Sequence, residues 1–198
     1  MKEKKDIHEK KAAIFQSGKE CFSSKGFKDT NISDITKRAG IAVGTFYNYY
    51  PSKEKLFMEI YAEENEKLKK SMMDSLDVEE EPLTVIKSFL SMNMAGIQSS
   101  PILAEWYNKD VFRKLEQLFR EEKGLDSVHF LYGSFTELFK KWQAEGKIRS
   151  DLDVELIMAF FSALIHVDLH KEEIGLQHFP HILDYLMEFV MNGLNPSK

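Results

Sequence analysis

The chain has 198 residues, of which 43% are hydrophobic and 30% are charged, and these proportions are ordinary for a soluble globular protein. Its single cysteine, Cys21, excludes an intramolecular disulfide, and we interpret it as a small core residue rather than a redox sensor. The charged N-terminus lacks the apolar stretch of a secretion signal, and the longest strongly apolar run, residues 156–167, is shorter than the roughly 20 residues that span a bilayer. We therefore expect a cytoplasmic protein without a membrane partner.

Charge is distributed unevenly along the chain. Residues 1–53 carry 11 Lys and Arg against 6 Asp and Glu, a net charge of +5, whereas residues 54–198 carry 16 against 26, a net charge of −10. The overall charge of −5 would by itself argue against a nucleic-acid binder. The distribution reverses that argument, because a basic N-terminal part alone could meet a phosphate backbone.

Composition and hydrophobic spacing predict helices only. Five prolines and ten glycines stand against abundant Leu, Phe, Met, Lys and Glu, which favours helix throughout. We predict an all-α chain of about nine helices. Residues 1–53 would form a three-helix DNA-binding head, and residues 54–198 would form a helical body for ligand binding and dimerisation.

The first predicted helix covers residues 7–25 and ends at Gly26. Phe27 follows it as an apolar plug that folds back on the head. The apolar stripe of this helix consists of Ile14, Phe15, Gly18, Cys21 and Phe22.

The next two predicted helices are short and lie around a tight turn. Thr30 or Asn31 caps the first of them, and Gly40 ends it, because glycine adopts a left-handed conformation without a Cβ penalty. Residues 43–50 form the second, since Pro51 cannot continue a helix. Two short helices around such a turn form a helix-turn-helix unit, which can place its second helix in the DNA major groove.

The second short helix is expected to have an inner and an outer side. Phe46 and Tyr50, four residues apart, are predicted to face inward. The side chains that would then face a groove or a backbone are Thr45, Tyr47, Asn48 and Tyr49.

Six further helices are predicted, over residues 53–75, 82–99, 101–124, 126–146, 150–167 and 181–194. Their caps would include Ser52, Asp126 and Ser150. Residues 156–167 are apolar on all sides, and the last helix has a wide apolar face. Because a chain of this size can hardly cover both, we predict that a second subunit packs against them. The candidate interface residues are Phe160, Leu164, Leu183, Leu186, Met187 and Val190.

Aromatic and methionine side chains of the body are candidates for the lining of an apolar ligand pocket. They are Met92, Met94, Trp106, Tyr107, Phe112, Phe130 and Phe161. Each of them could equally be plain core. His166, which lies within the apolar helix, is the candidate for a polar contact to the ligand.

The histidines allow a metal site to be considered. His166 and His170 are four residues apart with Asp168 between them, and His178 and His181 are three apart. No cysteine or HExxH companion supports a metal, so we favour surface or interface histidines. No nucleophile elbow, phosphate-binding loop or dinucleotide fingerprint is present either. We therefore expect no metal, no cofactor and no catalytic residue.

The N-terminal third carries a pattern of spacing and residue type over roughly residues 10–60. Its positions are Ile14-Phe15, Cys21-Phe22, Lys25-Gly26-Phe27, Thr30, Ile32, Ile35, Arg38-Ala39-Gly40-Ile41, Val43-Gly44-Thr45-Phe46-Tyr47, Tyr50, Ser52-Lys53-Glu54 and Leu56-Phe57. This pattern resembles that of the TetR family of transcriptional regulators. Residues 143–153 resemble, more weakly, a pattern in the regulatory domain of that family. Ala42 stands where Ser is usual, and Thr36 where Ala is usual.

The resemblance implies a homodimer that binds a palindromic operator, with a ligand pocket in the body and the last two helices paired across the dimer. It implies base-edge contacts from Val43, Gly44, Thr45 and Asn48. It implies phosphate contacts from Thr30, Tyr47, Tyr49 and Lys53.

The chemistry of these side chains suits such contacts. Gly44 allows a close approach to the groove, the Thr45 methyl can meet a thymine methyl, and Asn48 can bond adenine through two hydrogen bonds. Tyr47 could instead be partly core. Lys53 could be a solvated lysine, although positive charge is unfavourable at a helix N-terminus unless phosphate is near.

These observations predict a ligand-responsive repressor, which a small, largely apolar effector releases from its operator. An activator of the same class would have the same sequence features. The alternative from another class is a helical small-molecule carrier or enzyme that has lost DNA binding, against which the basic head argues.

Overall fold

A computed structural model describes residues 2–108, 111, 129–179 and 181–196. Within these ranges every regular element is helical, which confirms the all-α prediction. The α-helices are α1 (Lys2–Asp29), α2 (Ile32–Ala39), α3 (Val43–Phe46), α4 (Lys53–Ser75), α5 (Pro82–Ser99), α6 (Pro101–Ala104), α7 (His129–Ala144), α8 (Val154–Leu169), α9 (Lys171–Ile174) and α10 (His181–Gly193). Short 3-10 helices at Glu105–Tyr107 and Leu176–His178 follow α6 and α9. Ten described α-helices agree with the expectation of about nine.

The chain forms two compact units. The first comprises Met1–Asp74 and Ser91–Val128, and the second comprises Ser75–Leu90 and His129–Lys198. The division into a head of residues 1–53 and a body of residues 54–198 stays a prediction.

The first unit is built on an aromatic cluster between α1 and α4. Phe57 lies edge-on to Phe22 and Phe27, with ring centroids 5.1 and 4.9 Å apart. All three rings are at most 1% exposed, and burial of such a side chain stabilises by about 1.5–3 kcal/mol. Gly18 lets the helices approach closely, since a Cβ built there would lie 2.7 Å from the Leu56 Cδ2 atom.

The second unit has its own aromatic core. Phe139 lies edge-on to Trp142 and stacks on Phe161, with ring centroids 5.4 and 5.2 Å apart. Phe135 packs edge-on against Phe89 of α5 at 4.9 Å. Trp142 is fully buried. Phe139 and Trp142 of α7 are therefore plain core.

Two helix boundaries differ from the predictions. The third helix ends at Phe46 and not at residue 50, because the N–H groups of Asn48 and Tyr49 bond to carbonyls only three residues back, at 3.2 and 2.9 Å. The helix predicted to begin at Ser150 begins at Val154.

Hydrogen bonds from Gln143 explain the later start of α8. The Gln143 amide donates to the Arg149 and Leu152 carbonyls at 3.0 and 2.8 Å, which holds residues 149–152 in a turn. Residues 112–128, which carry the end of one predicted helix and the Asp126 cap of the next, lie outside the described residues.

No described helix combines the length and the apolar character that crossing a bilayer requires. The described residues also contain no group of three or more His, Cys, Asp or Glu side chains that could hold a metal ion.

Candidate nucleic-acid interface

Helix α2 is fixed at both ends by its own sequence. Asn31 caps it, with Asp34 N–H donating to the Asn31 side chain at 2.9 Å and Asn31 N–H donating back to the Asp34 carboxylate at 3.4 Å. Lys25, 3.1 Å from Asp34, and the Asn31 N–H together hold the pKa of that carboxyl below its ordinary value. Gly40 ends the helix with a φ of 68°, and Ile41 N–H bonds back to the Thr36 carbonyl at 3.0 Å.

Helix α3 and the turn that follows it have together the two sides that the sequence predicts. Phe46 and Tyr50 are 0% and 3% exposed, and burial raises the pKa of Tyr50. Tyr47 is 54% exposed and therefore is not core. Ala42 occupies the cap position of α3 and makes no side-chain cap bond, as expected where Ser is replaced.

The predicted base-edge residues lie together along α3 and the turn after it. Val43, Gly44 and Asn48 are exposed, with Val43 45% exposed, whereas Thr45 is half-buried. The surface is thus small, apolar at Val43 and polar at Asn48. A surface of this chemistry can enter a major groove and meet both methyl groups and hydrogen-bonding base edges.

The predicted phosphate contacts divide into two pairs. Tyr47 is exposed and Tyr49 is half-buried beside α3. Thr30, in contrast, is 1% exposed and its hydroxyl donates to the Gly26 carbonyl at 2.8 Å. The Lys53 ammonium donates to the carbonyls of Phe27 and Thr30 at 2.8 and 2.7 Å, and lies 4.4 Å from the Phe27 ring centroid.

Sequence reasoning missed Glu105, whose carboxylate accepts a hydrogen bond of 2.7 Å from the Phe27 N–H. These residues are 78 positions apart, and no local pattern connects them. Glu105 also accepts from the Asn108 side chain at 3.0 Å. The backbone of residues 27–30, at the C-terminal end of α1, is therefore held by charged side chains from α4 and from the segment that follows α6.

Part of the basic charge of the head is neutralised within the first unit. The pairs are Lys11 with Glu59 at 2.9 Å, Lys19 with Glu64 at 2.7 Å, and Arg38 with Glu20. The side-chain bonds from Gln16 and Arg38 lower the pKa of Glu20. Exposed pairs of this kind contribute little stability, yet they reduce the charge that a DNA backbone would meet.

The predicted pocket residues fall in different units. In the first unit, Trp106 is buried and stacks on Tyr61 with ring centroids 5.5 Å apart, Tyr107 is 44% exposed, and Met92 and Met94 are half-buried.

In the second unit, Phe161 stacks on Phe139 and His166 is exposed. Phe112 and the Phe130 side chain lie outside the described part of the chain. A small surface cavity of the second unit contains none of the predicted pocket residues. It is lined by Glu81, Pro82, Leu83, Lys147, Ile148, Met191, Asn192 and Asn195.

The predicted interface residues are unequally exposed. Phe160 is 38% exposed, whereas Met187 is only 7% exposed and packs inside its own unit. Leu164, Leu183, Leu186 and Val190 are half-buried. Sequence reasoning missed Leu156, Tyr185 and Phe189, which are 46%, 61% and 65% exposed. A one-turn apolar repeat on α8 and on α10 could have indicated them.

The fold and the site define an all-helical protein with a helix-turn-helix unit at its N-terminal end. Residues 14–60 match the family described as "Bacterial regulatory proteins, tetR family". The chain thus carries the N-terminal domain of the TetR family of transcriptional regulators, and it is a DNA-binding regulator.

Three comparisons cover nearly the whole chain. The HTH-type transcriptional repressor KstR2 of Mycolicibacterium smegmatis is 24% identical over 86% of this chain and 87% of its own. The crystal structure of RolR in complex with resorcinol is similar with a TM-score of 0.67, at 17% identity over 98% of this chain and 91% of that chain. The Thermus thermophilus repressor FadR in complex with lauroyl-CoA is similar with a TM-score of 0.58, at 21% identity over 92% of this chain and 91% of that chain. The two structures support the fold, and the curated relative is a transcriptional regulator.

Proposed function

We propose that this chain is a ligand-responsive repressor, not an enzyme, that binds a palindromic operator as a homodimer in the cytoplasm. A small, largely apolar effector would release it. The observation that carries the proposal is the two-sided α3, with Phe46 and Tyr50 buried and Val43, Gly44 and Asn48 exposed beside a firmly capped α2.

The proposed contacts to DNA follow this geometry. Val43, Gly44, Thr45 and Asn48 would read base edges. Thr30, Tyr47, Tyr49 and Lys53 would lie along the phosphates, Thr30 and Lys53 through the backbone segment that they hold. Phosphate contacts fix the register of a recognition helix, and base-edge contacts supply specificity.

The proposed homodimer rests on apolar side chains exposed in the second unit. Leu156 and Phe160 on α8, and Tyr185 and Phe189 on α10, are all more than a third exposed, and the last two rings stack at 6.3 Å. A monomer rarely leaves such surfaces uncovered. Pairing of these helices would give each protein two heads, which would match two half-sites about one DNA turn apart, ~34–36 Å.

The proposed effector site lies in the body, residues 54–198. The RolR and FadR structures hold resorcinol and lauroyl-CoA, respectively, and each of these ligands has an apolar part, an aromatic ring in one and an acyl chain in the other. We expect effector binding to change the spacing of the two heads, with a coupling free energy on the order of 1–3 kcal/mol.

Selection of binding sites from a random-sequence duplex library, with the full chain, tests this function. We expect enrichment of a palindromic site. Asn48→Ala should then weaken binding to that site by about 1–3 kcal/mol, whereas Asn195→Ala, at an exposed position beyond α10, should leave it unchanged.

Effector response is tested by adding lauroyl-CoA, resorcinol and a wider set of apolar compounds to the complex with the enriched site. Release by one of them is the expected result. A chain that enriches no sequence would instead be a helical carrier. A chain that binds its operator regardless of every compound would be a constitutive regulator.

A further inference from the structure

Near its C-terminal end, α1 has a sharp kink that leaves backbone polar groups without their helical partners. Gly26 adopts φ 78° and ψ 172°, outside the helical region, so α1 is kinked there. The next residue, Phe27, is only 1% exposed, so its backbone is buried together with its ring. Buried backbone groups must find partners, and Phe27 finds both of its partners in charged side chains.

Glu105 and Lys53 bind the backbone N–H and the backbone carbonyl of Phe27, respectively. The Glu105 carboxylate accepts from the Phe27 N–H at 2.7 Å, and the Lys53 ammonium donates to the Phe27 carbonyl at 2.8 Å. Lys53 also donates to the Thr30 carbonyl at 2.7 Å. Hydrogen bonds with one ionised partner are roughly twice as strong as neutral ones. The segment of residues 26–30 is therefore clamped from two different parts of the chain.

The clamp is directly connected to the recognition unit. Thr30 is followed by the Asn31 cap, and α2 begins at Ile32. Helix α2 leads through Gly40 into α3, so a displacement of residues 26–30 moves both helices. The position of Phe27 is thus linked to the position of the side chains on α3.

Glu105 belongs to a segment far from the head in sequence. It opens the 3-10 helix Glu105–Tyr107 directly after α6, and Trp106 beside it is buried against Tyr61. Ser100 caps α6, with the Leu103 N–H donating to its hydroxyl at 3.3 Å. A movement of α6 would therefore carry the Glu105 carboxylate with it.

We propose that Glu105 is a positioning residue for DNA recognition, which ties the α6 segment to the C-terminal end of α1 so that the position of the α6 segment sets operator affinity. This inference rests on the proposed operator binding. With the bond in place, α2 and α3 are held in the arrangement that binds the operator. When the carboxylate withdraws, residues 26–30 relax and specific binding weakens.

Three variants separate this role from a charge effect. Glu105→Ala removes the acceptor and one negative charge, and Glu105→Gln removes the same charge but keeps an acceptor oxygen. Glu63→Ala removes a negative charge from α4, where Glu63 pairs only with Lys67 one turn away among the described contacts. Loss of a negative charge alone would strengthen binding to DNA, whereas loss of positioning would weaken it.

The experiment measures the affinity of each full-length variant for the operator enriched by the wild type and for a scrambled duplex, without effector. Hydrogen exchange of the Phe27 amide and the melting temperature are measured in parallel. We expect Glu105→Ala to lose about tenfold in operator affinity and to lose protection at Phe27, with little change on the scrambled duplex. Glu105→Gln should retain most of both properties, and Glu63→Ala should bind the operator at least as tightly as the wild type and keep its protection at Phe27.

Unchanged operator affinity in Glu105→Ala, or a loss that Glu105→Gln shares in full, would overturn the inference. So would a loss explained by global unfolding at the assay temperature. If the wild type enriches no operator, the proposed function fails. The exchange measurement then decides the clamp by itself, because a Phe27 amide as protected in Glu105→Ala as in the wild type refutes it.

Discussion

Phe46, the last residue of α3, and Tyr50, four residues later, have ring centroids 5.9 Å apart, and both side chains are buried. This contact anchors the short helix to the head and turns the residues between them outward. Because α3 has only four residues in helical conformation, its placement depends on tertiary contacts rather than on its own stability.

The adjacent residues Phe46 and Tyr47 provide a matched pair of substitutions. Phe46→Ala should destabilise the protein by about 3–5 kcal/mol, because it removes a fully buried ring. Tyr47→Ala should change stability by no more than about 0.5 kcal/mol, since Tyr47 is 54% exposed, yet it should weaken DNA binding. Chemical denaturation and operator titration check the pair. A large loss of stability in Tyr47→Ala would place that ring in the core.

The two-sided helix could be predicted from sequence because a 3.6-residue period separates Phe46 and Tyr50 from their neighbours. The caps at Asn31 and Gly40 were equally local signals. The contact between Glu105 and Phe27 could not be predicted, because it joins positions 78 residues apart and depends on how α6 packs. Tyr185 and Phe189 were visible in the sequence, but apolar residues surround α10, so only the fold shows which face stays exposed.

Lys53 allows its internal and its DNA-binding roles to be measured separately. Lys53→Ala removes two charge-assisted hydrogen bonds to the Phe27 and Thr30 carbonyls, so we expect a loss of stability of about 1.5–3 kcal/mol for a partly buried group. If Lys53 also contacts phosphate, the variant binds every DNA sequence more weakly. The slope of the logarithm of the binding constant against the logarithm of the salt concentration then decreases in magnitude by about one.

Operator binding by Lys53→Ala is measured over a range of salt concentrations, and its stability is measured from an unfolding curve. We expect both the salt slope of binding and the free energy of unfolding to decrease. An unchanged slope would show that the ammonium acts only on the backbone of the protein. Lys70→Ala is the control, because Lys70 lies exposed on α4 and pairs with Glu66 one turn away at 2.5 Å.

Tyr185 and Phe189 test the proposed interface. Replacement of both by Ser should convert a dimer into a monomer and should reduce operator affinity, because one head then reads only one half-site. Light scattering after size-exclusion chromatography measures the change in mass. Tyr132→Ser, on α7 at a position 47% exposed, is the control and should leave the mass unchanged. A double variant that stays dimeric would move the interface to another surface.

Lys69 is expected to make the stability of the protein depend on pH in the alkaline range. Burial lowers the pKa of its ammonium from 10.5 to about 8, and the group donates to the Asn93 side chain. Between these two pH values the unfolded chain binds more protons at this site than the folded chain, so stability rises with pH across that window.

The comparison of wild type with Lys69→Met isolates this contribution. Melting temperatures between pH 8 and 10.5 should rise more with pH, or fall less, in the wild type than in Lys69→Met, which should be the more stable of the two at pH 7. Lys70→Met, at an exposed lysine, should behave as the wild type. Identical pH profiles for wild type and Lys69→Met would show that the group is solvated in the folded protein.

Gly26 makes the close approach of Glu105 possible, and its substitution tests that geometry through stability. A Cβ at position 26 would lie 2.7 Å from the Glu105 Oε1 atom, and the φ of 78° disfavours any L side chain. Gly26→Ala should therefore destabilise by about 1–2 kcal/mol, and more than that if Glu105 cannot move aside. In contrast, Gly133→Ala, inside α7 with nothing within 4 Å, should stabilise by roughly 0.5–1 kcal/mol. Denaturant unfolding of both variants measures whether each free energy of unfolding falls or rises.

Combining Gly26→Ala with Glu105→Ala should restore part of the stability that Gly26→Ala loses, because the steric conflict is gone while the backbone strain remains. If the effects of the two substitutions on stability are strictly additive, the two groups do not meet.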